Sequence, residues 1–162
     1  MDNRVAGLGI ATFLLVVGGA LTLILLKAGP GVPFGSSKDR QERSAVGRTI
    51  YARHCASCHG KNLEGQPDWQ TPLSSGKLPA PPHDKTGHSW HHPDAMLTGI
   101  TKRGIIPYVA PDYQSDMPAF EGKLSDDEIG SLWDHIKSTW SERERAYQEQ
   151  MTRQSLQQGK PQ

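Results

Sequence analysis

Residues 55–59 read Cys55-Ala56-Ser57-Cys58-His59, and the chain holds no cysteine outside that run. C-x-x-C-H is the spacing used for covalent attachment of a c-type haem. Two thiols must reach the two vinyl groups on one edge of a porphyrin while the next imidazole turns to the iron, and one helical turn supplies all three. A fold that accepts this run must wrap a flat macrocycle. Other uses of the five residues fit less well. A redox C-x-x-C pair belongs near a βαβ pattern, and the flanking segments have no strand alternation. A structural zinc site needs four protein ligands, and no second cysteine pair exists. A Cys55–Cys58 disulfide would close a very short loop and add little stability.

A haem iron in a packed protein takes a sixth ligand, and methionine in that place raises the reduction potential. Met117 is the candidate, in Ser115-Asp116-Met117-Pro118-Ala119-Phe120. Pro118 biases Met117 towards extended backbone, and an extended loop presents a thioether to the distal face. Two alternatives stay open. Methionine commonly fills gaps in cores, and His83, His88, His91 and His92 offer imidazoles for bis-histidine ligation. Met96, beside Leu97 and Ile100, reads as core; Met151 lies in a polar tail.

With a helix entering C-x-x-C-H, a later Met-Pro loop and a closing helix, residues 44–140 resemble the class I cytochromes c. Gly47 and Tyr51 fall where that family has a small residue and an aromatic on its first helix, and Leu132 and Ile136 match apolar positions of its last. His135 departs from the pattern, standing where the family commonly has an aromatic that packs on the first helix. The resemblance implies an all-α domain wrapped around one covalent haem c, with Cys55 and Cys58 in thioethers and His59 and Met117 on the iron. It implies a one-electron carrier rather than an enzyme. In the family a proline carbonyl downstream of the motif accepts a hydrogen bond from the axial imidazole. Pro81 or Pro82 is the expected counterpart.

Residues 5–26 form an apolar run without a charge, long enough as a helix to span a bilayer core of about 30 Å. It ends at Lys27 with no clear small-residue cleavage site after it, which favours an uncleaved anchor over a cleaved signal peptide. Gly7, Gly9, Gly18 and Gly19 would let another transmembrane helix approach closely. Lys27, Lys38, Arg40 and Arg43 outweigh Arg4 and would pull the following domain into the cytoplasm. The haem motif points the other way, because in the family thioethers form after export. The expected location is therefore the bacterial inner membrane, single-pass, with the haem domain on the periplasmic side.

The expected organisation is an anchor over 1–27, a Gly/Pro/Ser-rich linker over 28–40, a haem domain over 41–140, and a charged, polar extension over 141–162. About 100 residues make a small core unaided, and the haem supplies the missing apolar mass. Three helices are expected. The first, over 44–56, carries Val46, Ile50 and Tyr51 on one side. A second starts at Pro93 and stops at Gly104. The third starts at a Ser125/Glu128 capping box, and Ile129, Leu132, Trp133, Ile136 and Trp140 recur at helical spacing, a stripe suited to packing on the first. Between Lys61 and His92 a proline-rich loop wraps the haem edge. Trp69, Trp90, Tyr108 and Tyr113 are candidates for its walls, and His88, His91 and His92 suggest copper binding as a side possibility. From Ser141 on, alternating charges suggest a solvated helix that frays.

The net charge is +1, and from residue 28 on acidic and basic residues balance at 16 each. Strong steering to a charged partner is not expected, nor is nucleic-acid binding or a small-molecule substrate. The expected function is a membrane-tethered electron carrier between membrane-bound redox proteins such as oxidoreductases or terminal oxidases. Its rivals are a fixed subunit of a larger membrane oxidoreductase and a haem enzyme or gas sensor with an open sixth site.

Overall fold

A computed structural model describes residues 37–159, which belong to one compact unit. The expected anchor and residues 28–36 of the expected linker lie outside the described residues. Those described form five α-helices and no strand: α1 Ser37–His54, α2 Ala56–His59, α3 Asp94–Arg103, α4 Asp126–Ser138 and α5 Glu142–Gln157. Two 3-10 turns, Ser89–His91 and Ile106–Tyr108, flank α3. Among the described residues no helix is long and apolar enough to cross a membrane.

α1 begins inside the stretch expected as linker. Lys38, Arg40, Gln41 and Glu42 are good helix formers, and Lys38 reaches Glu42 one turn on at 3.9 Å. The helix buries a narrow strip, Gly47, Ile50 and Tyr51. Val46, expected on that strip, is 50% exposed, because one residue of helical rotation turns it off so narrow a face.

That strip packs on α4, the principal helix pair of the unit. The crossing is close: a Cβ on Gly47 would overlap the backbone carbonyl of Ser131. Arg43 Nε reaches Asp134 Oδ2 at 2.6 Å at its edge. The α4 stripe is buried as its spacing requires, with Ile129 fully inaccessible and Leu132, Trp133 and Ile136 at 8% exposure or less; Trp140, expected on the same helix, is buried just beyond its end. The Ser125/Glu128 capping box is formed in both directions, and the hydrogen bonds from Ser125 hold the Glu128 carboxyl below its usual range. His135, the departure from the family pattern, meets the Tyr51 ring edge-on at 5.9 Å. It still packs on the first helix as an aromatic. Its Nδ1 is buried and makes no hydrogen bond among the described residues.

α3 starts after Pro93 and ends at Gly104, where φ is +77°. Thr101 Oγ1 donates to Leu97 O and accepts from Trp133 Nε1 at 3.1 Å, which ties α3 to α4.

The C-terminal segment differs from expectation. A break at Thr139–Ser141 ends α4, and a second capping box, Ser141 with Glu144, starts α5 as a separate helix. α5 docks on the turn at Ser89–His91. Gln148 is 1% exposed, and its Nε2 donates to Asp94 Oδ1 at 2.6 Å and Thr152 Oγ1 at 3.1 Å. Lys137 also pairs with Asp94. The alternating charges are real, but they occupy the outer face of a helix whose inner face is polar and satisfied. A hydrophobicity pattern does not register such a face.

Candidate functional site

α1 does not run straight through the cysteines. Cys55 N–H donates to Tyr51 O at 2.9 Å, yet Cys55 itself leaves helical geometry at φ −120°, and α2 restarts the turn. Cys58 and His59 amides both donate to Cys55 O, at 3.1 and 2.9 Å. Both thiols and the imidazole are therefore borne by one turn. The cysteines are not disulfide-bonded; Cys55 is half-buried and Cys58 exposed. Burial, helped by the neighbouring Cys58 charge, pushes the Cys55 thiol up to about 11. Gly60 exits the turn at φ +81°, and Tyr51 Oη donates to its carbonyl at 2.7 Å. Burial pushes the Tyr51 phenol well above its usual range, so it stays a donor.

His59 is 9% exposed. Its Nδ1 lies 2.8 Å from Pro81 O, and since a carbonyl only accepts, Nδ1 carries the proton. Pro81, rather than Pro82, fills the expected role. Nε2 is then the unprotonated nitrogen, and it makes no hydrogen bond among the described residues. Burial lowers the basicity of the ring, with the Pro81 bond opposing, so the imidazole is neutral, the state that binds metal. The loop after the motif fixes Pro81 in place. Gly65 N–H donates to His59 O at 2.8 Å at φ +70°, and a Cβ there would come within 2.5 Å of Pro82 N. Leu63, buried and also at φ +70°, accepts from the His83 and Asp84 amides through its carbonyl at 2.8 and 3.2 Å.

The remaining histidines are committed elsewhere. His83 stacks on His59 with ring centroids 4.2 Å apart and planes 25° apart. It sits beside the His59 imidazole, so it is badly placed to serve the opposite face of an iron bound by His59, as bis-histidine ligation would require. His88 stacks on Trp69 at 5.4 Å and meets His92 edge-on at 5.2 Å. His91 lies against Trp90 and Tyr147. Burial lowers the basicity of both His88 and His92. No group of three or more His, Cys, Asp or Glu side chains among the described residues is arranged to hold a metal ion, and the copper reading has no support.

Met117 is partly buried on a separate segment without regular secondary structure. Its amide donates to Ser115 Oγ at 3.1 Å, and Asp116 pairs with Lys77 of the wrapping loop at 2.5 Å. Beyond it, Phe120 N–H donates to the Thr101 and Lys102 carbonyls at the end of α3. The Phe120 ring meets His54, the last residue of α1, edge-on at 5.9 Å. Gly104 faces the Met117 carbonyl. The Met-Pro segment is thus pinned between the end of α3 and the turn that leads into the cysteines.

The donor set fits a covalently held haem. It offers two free thiols on one turn, a neutral imidazole with Nδ1 committed and Nε2 unclaimed, and a thioether on a tethered loop. Sequence reasoning missed the stacking of His83 on His59 and the burial of Gln148, since contacts between residues distant in the chain leave no periodic signal. The model for the family described as cytochrome c matches residues 44–140. No curated protein and no solved structure matches the chain.

Proposed function

The chain belongs to the cytochrome c family, whose cofactor is a covalently attached haem c, and on that premise we propose that it is a membrane-tethered one-electron carrier. The observation that carries the reading is the neutral His59 imidazole, oriented by Pro81 with Nε2 unclaimed. Cys55 and Cys58 would hold the porphyrin edge as thioethers, and His59 Nε2 and Met117 Sδ would be the iron ligands. When bound, the haem supplies a ferric–ferrous couple that gains and loses one electron. The Pro81 bond to His59 and the backbone bonds that hold the Met117 segment at the end of α3 would limit the reorganisation between oxidation states. With both residues on the iron there would be no open site for a substrate. Substituting Met117→Ala is expected to lower the reduction potential and to let the iron take up exogenous ligands. An unchanged potential would mean that another group occupies that side.

The tether is the apolar run 5–26, and the domain lies on the periplasmic side of a bacterial inner membrane. Its partners are a membrane-bound electron donor and acceptor. A flexible connection would raise the local concentration of the haem domain at both, and the near-balanced charge of the exported part suits brief encounters. Membranes washed with alkaline carbonate should retain the full chain and release a form lacking residues 1–27. Release of both forms would remove the tether from the account.

A further inference from the structure

The axial imidazole has a neighbour that the attachment motif does not require. The His83 ring covers one face of the His59 ring, 4.2 Å away and 25° from parallel. His83 is itself immobilised from four directions. Its Nδ1 shares a 2.7 Å hydrogen bond with Ser89 Oγ. Its amide donates to Leu63 O at 2.8 Å. Its carbonyl accepts from Trp140 Nε1 at 2.7 Å, and its ring meets Trp133 edge-on at 5.6 Å. Ser89 is 6% exposed, so the brace is buried.

The Pro81 bond alone fixes one atom of the His59 ring. A single 2.8 Å contact lets the ring rock about that bond, whereas a flat ring pressed on its face does not. A leucine would fill the space without defining a plane, and a phenylalanine would define a plane but lack the bond that stops it turning. Histidine provides both.

We propose that His83, braced by Ser89, is a positioning residue that fixes the plane of the His59 imidazole and thereby the electronic structure of the iron that His59 binds. This rests on His59 being the axial ligand. The orientation of an axial imidazole plane sets how unpaired spin spreads over the porphyrin in the ferric state, and it contributes to the reduction potential.

The test uses the full haem-loaded chain. Proton spectra of the oxidised protein report the order and spread of the haem-methyl shifts, and a potentiometric titration reports the potential. His83→Ala should reorder the methyl shifts and displace the potential. His83→Phe, which restores a face, should return the pattern most of the way to wild type, and Ser89→Ala should move it in the His83→Ala direction by less. A folded His83→Ala protein with wild-type methyl shifts and potential would overturn the proposal and leave His83 as a space-filling ring. If His83→Ala does not load haem, Ser89→Ala decides alone, and an unchanged methyl pattern in it overturns the brace. The wild-type spectrum separates this from a failure of the ligand assignment, because a wrong axial set would appear there before any substitution.

Discussion

At the scale of single residues, the site depends on a glycine that no attachment chemistry touches. Gly65 occupies φ +70°, a region that L side chains adopt at a cost of about 1 kcal/mol or more. It does so where the backbone of Pro81 and Pro82 passes directly over it. Gly65→Ala is therefore expected to push Pro81 away from His59 as well as to strain the turn. Loss of that hydrogen bond weakens imidazolate character and should raise the reduction potential, while denaturant unfolding of the haem-loaded protein shows a loss of about 1–3 kcal/mol. A potential that stays at the wild-type value in a folded Gly65→Ala protein would disconnect the Pro81 bond from the tuning of the iron. None of this can be seen from the string of letters, where Gly65 is one of several glycines in an irregular loop. The motif announced His59; only the folded chain identified what holds it.

At the scale of elements, the helices carrying periodic apolar residues were legible, whereas the polar one was legible as a helix but not as a separate, docked one. α4 follows from its capping box and stripe, and α3 from Pro93 and Gly104, because these signals are local. α5 has a similar capping box, but its inner face is made of buried Gln148 and partly buried Thr152 against Asp94 and His92, with the half-exposed Tyr147 ring at its edge against Trp90 and His91. Such a face stabilises through satisfied hydrogen bonds rather than apolar area, and its partner lies more than 50 residues earlier in the chain. Gln148→Ala should leave the Asp94 carboxylate short of a donor and His92 O without its side-chain partner. A destabilisation of about 1–3 kcal/mol is expected, read as a lower denaturant midpoint with covalent haem content unchanged. No change in the midpoint would make α5 an appendage rather than part of the domain.

At the scale of the whole molecule, the described residues form an all-helical unit in which α1 and α4 cross at Gly47, and the wrapping loop delivers Pro81 to the Nδ1 edge and His83 to one face of the His59 ring. The Met-Pro segment comes from a different part of the chain and is anchored to α3 and to the end of α1. If His59 and Met117 are the iron ligands, these two arms close on one iron and leave it no free position. The measurement that tests this closure most directly is the optical spectrum of the purified, oxidised protein, followed by carbon monoxide added to the reduced form. The weak far-red band of methionine sulfur on ferric haem and no carbon monoxide adduct are expected. An absent band with rapid adduct formation would contradict the closure, and the chain would then be a haem enzyme or gas sensor with an open site.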